Sequence, residues 1–404
     1  MNAVLTIQPP HVEGSGPYRI SARLQFPDAE EVLWFETPLC PVEAADSFLL
    51  VMLPRAMREG LDIVVEGELS SQLYYNITQY YLAFLRTLDA SLKPISIVAK
   101  RLTTKVHGDK GVFTGFSAGV DSFATILTHA QGVPEEYRVT HLLFNNVGSH
   151  GQSKNDQSVF EERLARLRTR AMGLPLLPVS SNLDQVMRSK FERTHTIRNC
   201  ATALLFQNAC AKFLYSSAVH YRDAFIGETE YMGYADAVGV ALLSTETTQC
   251  ISAGGQYTRF EKTALIAQDP ATFETLDVCV QPKPGVLNCS SCWKCLRTEL
   301  TLEMVGALDN YRNAFNMQEY RKVRSLFIAI VLKKSSLLNQ EIAEQIEARD
   351  FKVPFASRIL RHAPERLLNT ATELRRHPKL WAKRIYWEHI KRQAARQAAR
   401  ESGN

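Results

Sequence analysis

The chain has 404 residues, 45% hydrophobic and 22% charged, with eight cysteines and a net charge of +5. That length supports a large buried core and more than one domain, and that composition excludes wholesale disorder. The start, MNAVLTIQPP, lacks a basic segment followed by an apolar one, and the longest apolar runs, 48–53 and 326–332, are too short to span a bilayer. The reading is therefore a cytoplasmic protein whose thiols stay reduced, so the cysteines point to metal, catalysis or burial rather than staples.

Residues 1–105 read as a front α+β region. YRISARLQF (18–26), EVLWFETPL (31–39), DIVVEGEL (62–69) and ISIVAK (95–100) have strand character. Between them, 70–88 places Leu73, Ile77, Tyr80, Tyr81 and Phe84 at helical spacing.

From about 106 the texture changes to apolar strands alternating with amphipathic helices. VFTGF (112–116), HLLFNNV (141–147), LLPVSS (176–181) and HYRDAFIG (220–227) read as strands, and 157–173 and 198–217 as helices. That alternation predicts a doubly wound parallel sheet with ligands at the carboxyl ends of its strands. Residues 306–404 read as a helical extension. Its tail from Trp381 carries Lys383, Arg384, Lys391, Arg392, Arg396 and Arg400 against Glu388 and Glu401, a pattern better read as a solvated basic face than as a nucleic-acid site. A homodimer is the base-rate assembly.

The first chemical signal is FSAGVDS. A strand leads into Phe116, Ser117, Ala118, Gly119, Val120, Asp121 and Ser122 and then an amphipathic helix. Turn N–H groups and a helix N-terminus converging on one point favour an anion. Gly119 can take a left-handed backbone, Ser117 and Ser122 add donors, and Asp121 can cap the helix or hold magnesium. No Walker A sequence occurs.

The second signal is the spacing C-x9-C-x2-C-x2-C at Cys279, Cys289, Cys292 and Cys295. Four thiolates suit a closed tetrahedral zinc site, with Lys283, Lys294 and Arg297 offsetting charge. An iron–sulfur cluster also takes four thiolates, although the ferredoxin continuation is missing. Simple burial is the third alternative. Cys40, Cys200, Cys210 and Cys250 are scattered and read as core.

The loop resembles the S-G-G-x-D-S loop of the PP-loop ATP pyrophosphatases, with Ala118 where the second-position glycine is usual. Loop and cysteines together resemble the 7-cyano-7-deazaguanine synthase family, including a defence-associated branch. Three further stretches join the resemblance: Arg198-Asn199 in HTIRNC, the segment EYMGYADA with Tyr231, Gly233, Tyr234 and Asp236, and TRFE with Thr258, Arg259 and Glu261. FNNVGSHG (144–151) is similar to a family segment whose aspartate is here Asn145. The resemblance spans roughly 110–305, and the domain reading is 106–305 for this part.

The resemblance implies an adenine nucleotide α-hydrolase-like fold that binds ATP and Mg²⁺, with Ser117, Asp121 and Ser122 at the reaction. It implies attack of a carboxylate on the α-phosphorus of ATP, giving an acyl-adenylate that an amine converts to an amide. The implied substrate is 7-carboxy-7-deazaguanine or a similar carboxylated purine analogue. Asp236 or Glu228 would take its N–H edge, Tyr231 or Tyr234 its face, and Arg198 with Asn199 its anionic end. The defence-associated branch implies an amino group on a protein partner as acceptor. Ammonia, with onward dehydration to the nitrile, is the alternative, and a non-catalytic nucleotide-binding regulator is another.

Overall fold

A computed structural model of the chain describes residues 2–108, 111–149, 157–168, 172–281 and 285–376. Lys283, the end of the 144–151 stretch and the basic tail lie outside the described residues. The chain divides into two compact units, Met1–Asp277 and Val278–Asn404.

The first unit is α/β. Its eleven strands are β1 (Ala3–Ile7), β2 (His11–Glu13), β3 (Tyr18–Gln25), β4 (Glu30–Thr37), β5 (Leu61–Ser70), β6 (Ile97–Thr103), β7 (Gly111–Gly115), β8 (His141–Asn145), β9 (Leu176–Ser181), β10 (Cys210–Ser216) and β11 (Gln249–Ala253). They form one mostly parallel sheet in the order β11-β10-β7-β8-β9-β4-β3-β1-β5-β6, with β2 paired to β3.

The block β11-β10-β7-β8-β9 is wholly parallel. Strand β7 lies between β8 and β10, so the winding reverses there. Such a switch point opens a crevice at the carboxyl ends of the strands. The front strands continue this same sheet, because β4 pairs antiparallel with β9 through Phe35–Ser181 and Glu36–Ser180. Asn182 reinforces the seam: its side-chain oxygen accepts from Trp34 N at 2.9 Å and its amide donates to the Val32 carbonyl at 2.7 Å. One apolar core runs under both blocks, from Leu5 and Phe48 to Phe213 and Cys250.

The helices are α1 (Asp46–Glu59), α2 (Ser71–Asn76), α3 (Leu82–Leu88), α4 (Val120–Thr128), α5 (Gln157–Arg168), α6 (Leu183–Met187), α7 (His195–Leu204), α8 (Asp236–Gly239) and α9 (Arg259–Ile266). Three sequence expectations change. Residues 198–217 are not one helix, because α7 ends at Leu204 and 210–216 forms β10. A strand flanked by parallel neighbours and covered on both faces reads as a continuous apolar run, which periodicity does not separate from a buried helix. HYRDAFIG is a 3₁₀ turn at Tyr221–Asp223 followed by irregular chain. Tyr80 leaves the apolar face of 70–88: a π turn at Ile77–Tyr81 adds a residue, which buries Tyr81 and leaves Tyr80 exposed.

The second unit is helical: α10 (Trp293–Met304), α11 (Met317–Val331), α12 (Leu337–Ala348), α13 (Phe355–Leu360) and α14 (Glu365–Arg376). Leu296 and Leu300 of α10 pack with Val323, Phe327 and Ile328 of α11 and Ile342 and Ile346 of α12. No helix among the described residues is long and apolar enough to cross a membrane.

Candidate functional site

The phosphate-like loop occupies the switch point. Phe116 N donates to the Leu143 carbonyl at 2.8 Å, so the chain leaves β7 still held to β8. Ser117 is exposed, whereas Phe116, Ala118 and Val120 are buried. The left-handed backbone falls on Ala118, at φ 55°, not on Gly119, whose φ is −83°. An L-residue there carries a strain of about 1–2 kcal/mol, so the position usually given to glycine is the one whose conformation calls for it. Gly119 is the N-cap of α4 and has no side-chain cap, so the first-turn N–H groups have no capping acceptor. Ser122 Oγ donates to the Gly119 carbonyl at 2.9 Å, and Ser117 Oγ accepts from Gly119 N at 3.4 Å.

Asp121 caps nothing. Its carboxylate receives Arg259 and, at 3.3 Å, Lys262, whose ammonium also donates to the Ser217 carbonyl at 2.5 Å. Burial alone would raise the Asp121 carboxyl, but Arg259 and Lys262 outweigh it and hold it far below the usual range. Thr258 and Glu261, expected at the site, form a capping box instead. Glu261 N donates to Thr258 Oγ1 at 3.2 Å and Thr258 N to Glu261 Oε2 at 2.8 Å. The cap aims Arg259, at the first helical position, at Asp121. Lys262 is the residue that sequence reasoning missed; its place one turn beyond the cap was the available signal.

Arg198 is fully buried. Its Nε donates to Thr194 Oγ1 at 2.7 Å, Nη1 to the Val147 carbonyl at 2.6 Å and Asp184 at 2.7 Å, and Nη2 to the Ser189 carbonyl at 2.7 Å. It clamps the loops after β8 and α6. Gly148, at φ 99°, makes room, since a Cβ there would lie 2.6 Å from both Arg198 Nη1 and Asp184 Oδ1. Asn199 donates to the His195 carbonyl at 2.7 Å and accepts from Asn145 at 3.0 Å, and Asn145 also donates to Thr202 at 2.8 Å. An ionised aspartate at 145 could make neither donation.

The 228–236 segment places its residues unequally. Glu228 is exposed and Tyr231 and Tyr234 are half-buried, while Asp236 is 2% exposed. The Tyr231 and Tyr234 rings meet edge to face at 5.6 Å, and Tyr231 also lies 5.0 Å from the His195 ring. Gly233 is required by that ring, because a Cβ would come 2.5 Å from a Tyr231 ring carbon. Asp236 Oδ1 accepts from Thr196 Oγ1 at 2.6 Å, and its Oδ2 is buried without a partner. Burial raises the Asp236 carboxyl to about 8 against the lowering effect of Thr196. Burial, then the Asp236 and Asp121 charges, also push the Tyr231 hydroxyl up.

In the second unit Cys279, Cys289, Cys292 and Cys295 are all buried, with their sulfurs within 4.8 Å of one another. Cys292 to Cys295 is 3.4 Å and Cys289 to Cys295 is 3.9 Å. A disulfide needs about 2 Å, whereas four sulfurs at about 2.3 Å around one tetrahedral zinc lie roughly 3.8 Å apart. Backbone N–H groups already point at two sulfurs: Gln281 N to Cys279 at 3.3 Å and Cys292 N to Cys289 at 3.2 Å. Cys292 occupies the N-cap position of α10 without a side-chain capping bond, and Cys295 lies in the first turn, where the helix dipole favours thiolate. The cluster can hold zinc. Lys294 and Arg297 lie over the Trp293 ring at 5.5 and 5.0 Å.

Comparison of the chain with protein-family models, with curated proteins and with solved structures finds no match in any of the three.

Proposed function

We propose that the chain is a PP-loop-type ATP pyrophosphatase with an adenine nucleotide α-hydrolase-like core. It adenylates a carboxylated purine analogue such as 7-carboxy-7-deazaguanine and passes the acyl group to an amine, and its four-cysteine site binds zinc structurally. The observation that supports this reading is the strand–turn–helix loop at the switch point, whose helix has no side-chain cap, with Arg259 and Lys262 held beside it on Asp121.

A carboxylate is a poor acyl donor because oxide leaves badly, and adenylation gives it a leaving group. The exposed Ser117 and the first-turn N–H groups of α4 fit the phosphates. Arg259 and Lys262 supply the positive charge that departing pyrophosphate needs. While both cations occupy Asp121, a magnesium ion would reach that carboxylate only after one of them turned to the phosphates; with the nucleotide, magnesium would neutralise phosphate charge. Tyr231 and Tyr234 offer faces for a flat heterocycle, and Glu228 an exposed carboxylate for its N–H edge. Arg198 holds the surrounding loops.

An acceptor larger than ammonia, such as an amino group on a protein partner, is favoured by one feature. A cavity of about 230 Å³ beside Thr229 and Met232 is walled by Leu85, Leu88 and Asp89 of the front region. Incubation with ATP and the carboxylated deazaguanine is expected to release pyrophosphate and AMP, and ADP as the main product would refute the reading. Intact-mass measurement of a co-expressed partner would show the acyl gain.

A further inference from the structure

The cavity of about 230 Å³ beside Thr229 pairs an aliphatic wall with an unbalanced charge. The wall is Pro54 of α1, Leu85 and Leu88 of α3, Leu92 just beyond it, Ile197 of α7 and Met232, and no aromatic ring joins them among the described residues. The charged lining is Arg58, Asp89, Lys190 and Arg193. Glu230 receives Lys190 and Arg193, and Asp89 receives Arg193, so these two cations and two anions cancel. Asp89 is further occupied by Ser91, whose backbone N and Oγ donate to it at 3.0 and 2.6 Å. Arg58 is left over. Its Nη1 donates to Ser189 Oγ at 2.8 Å and its Nη2 to the Met187 carbonyl at 3.3 Å, both neutral acceptors, while its neighbour Glu59 pairs with Arg55. No carboxylate among the described residues pairs with Arg58, which is exposed at the cavity edge with its guanidinium already oriented.

We propose that this cavity binds a medium-chain aliphatic carboxylate of about the length of octanoate, with its chain against the leucine wall and its carboxylate on Arg58. The cavity is smaller than the roughly 300–1,000 Å³ of pockets for drug-sized ligands. At roughly 30 Å³ for a water-sized group it admits about eight of them. An alkyl chain gains by leaving water and asks nothing of the polar lining. The carboxylate supplies the one anion that Arg58 lacks and matches the planar guanidinium. An α-amino acid fits less well, because Asp89 and Glu230 already hold their cations and offer no free anion to its ammonium. This binding does not depend on adenylation. The volume admits one occupant, so the acid would compete with a partner's side chain docked in the same place.

The test is calorimetric titration of the full chain with octanoate, octan-1-ol, octylammonium and leucine at neutral pH. Octanoate is expected to bind saturably at one site per chain, at least about tenfold tighter than the other three, the scale of one charge-assisted hydrogen bond. Arg58→Gln should weaken octanoate about tenfold and leave octan-1-ol unchanged, which separates the charge from the wall. Leu92→Trp, at a half-buried position, should fill the cavity and abolish binding of both while Arg58 stays in place. No saturable binding of octanoate up to about 10 mM overturns the proposal. So does octylammonium or leucine binding as tightly as octanoate, or octanoate binding unchanged in both variants.

Discussion

Replacing Arg198 with methionine separates a ligand-binding arginine from an internal clamp. Methionine keeps most of the stem's packing and removes the guanidinium. Two backbone carbonyls, Val147 and Ser189, then lose their charged donor, as do Thr194 and the mostly buried Asp184. Each stranded buried acceptor costs about 1–3 kcal/mol, and an unpaired buried charge about 3–5 kcal/mol. These overlap at one cluster, so about 3–5 kcal/mol is expected rather than their sum. Urea unfolding of the wild type and Arg198→Met measures it as a lowered midpoint at unchanged slope. Gly148→Ala supplies an internal check. Its new methyl would press on Arg198 Nη1 and on Asp184, so it should cost less in the Arg198→Met background than in the wild type. A loss below about 1 kcal/mol for Arg198→Met, or strictly additive variants, would refute the clamp and return Arg198 to the ligand.

Metal analysis should return about one zinc ion per chain, with Cys292→Ser lowering occupancy and stability together; a brown, iron-bearing protein would contradict the zinc assignment. Gly233→Ala should lower kcat/KM for the deazaguanine acid about tenfold by turning Tyr231, without touching metal content, and wild-type kinetics would remove Tyr231 from the site. Asp236, whose carboxyl is raised from 3.8 to about 8 in the folded protein, binds its proton more tightly when folded. Its stabilising contribution is therefore complete below about pH 4 and declines as pH rises through about 8. Asp236→Asn should flatten that part of the urea stability–pH curve, and parallel curves would refute the burial argument.

The strand–turn–helix at the switch point is legible from sequence because a strand, a turn of small residues and a helix follow one another without interruption. The cysteine cluster is legible because three of its four cysteines recur every third residue. What surrounds them is not, since it depends on pairings distant in sequence. Asp121 meets Arg259 and Lys262 only because the segments after the parallel strands β7 and β11 both leave the sheet at its carboxyl ends. Thr258 and Glu261 fit a helix cap as well as a ligand contact, and local sequence does not separate the two. Arg198 beside Asn199 looks like ligand chemistry until Val147, Ser189 and Asp184 close around it. Strand β10 hides for another reason: CAKFLYS satisfies helical spacing and buried-strand composition alike.

The seam between β4 and β9 also sets an order of events during synthesis. Strand β4 is complete at Thr37, but its partner ends at Ser181. At ordinary ribosomal speed, roughly 7 to 30 s separate the two. Throughout that interval the nascent chain carries an unpaired edge bearing VLWF, the kind of surface that recruits chaperones or neighbouring chains. Slower elongation before residue 181 lengthens that exposure, so codon choice between the two strands should govern how much of the protein reaches its native sheet.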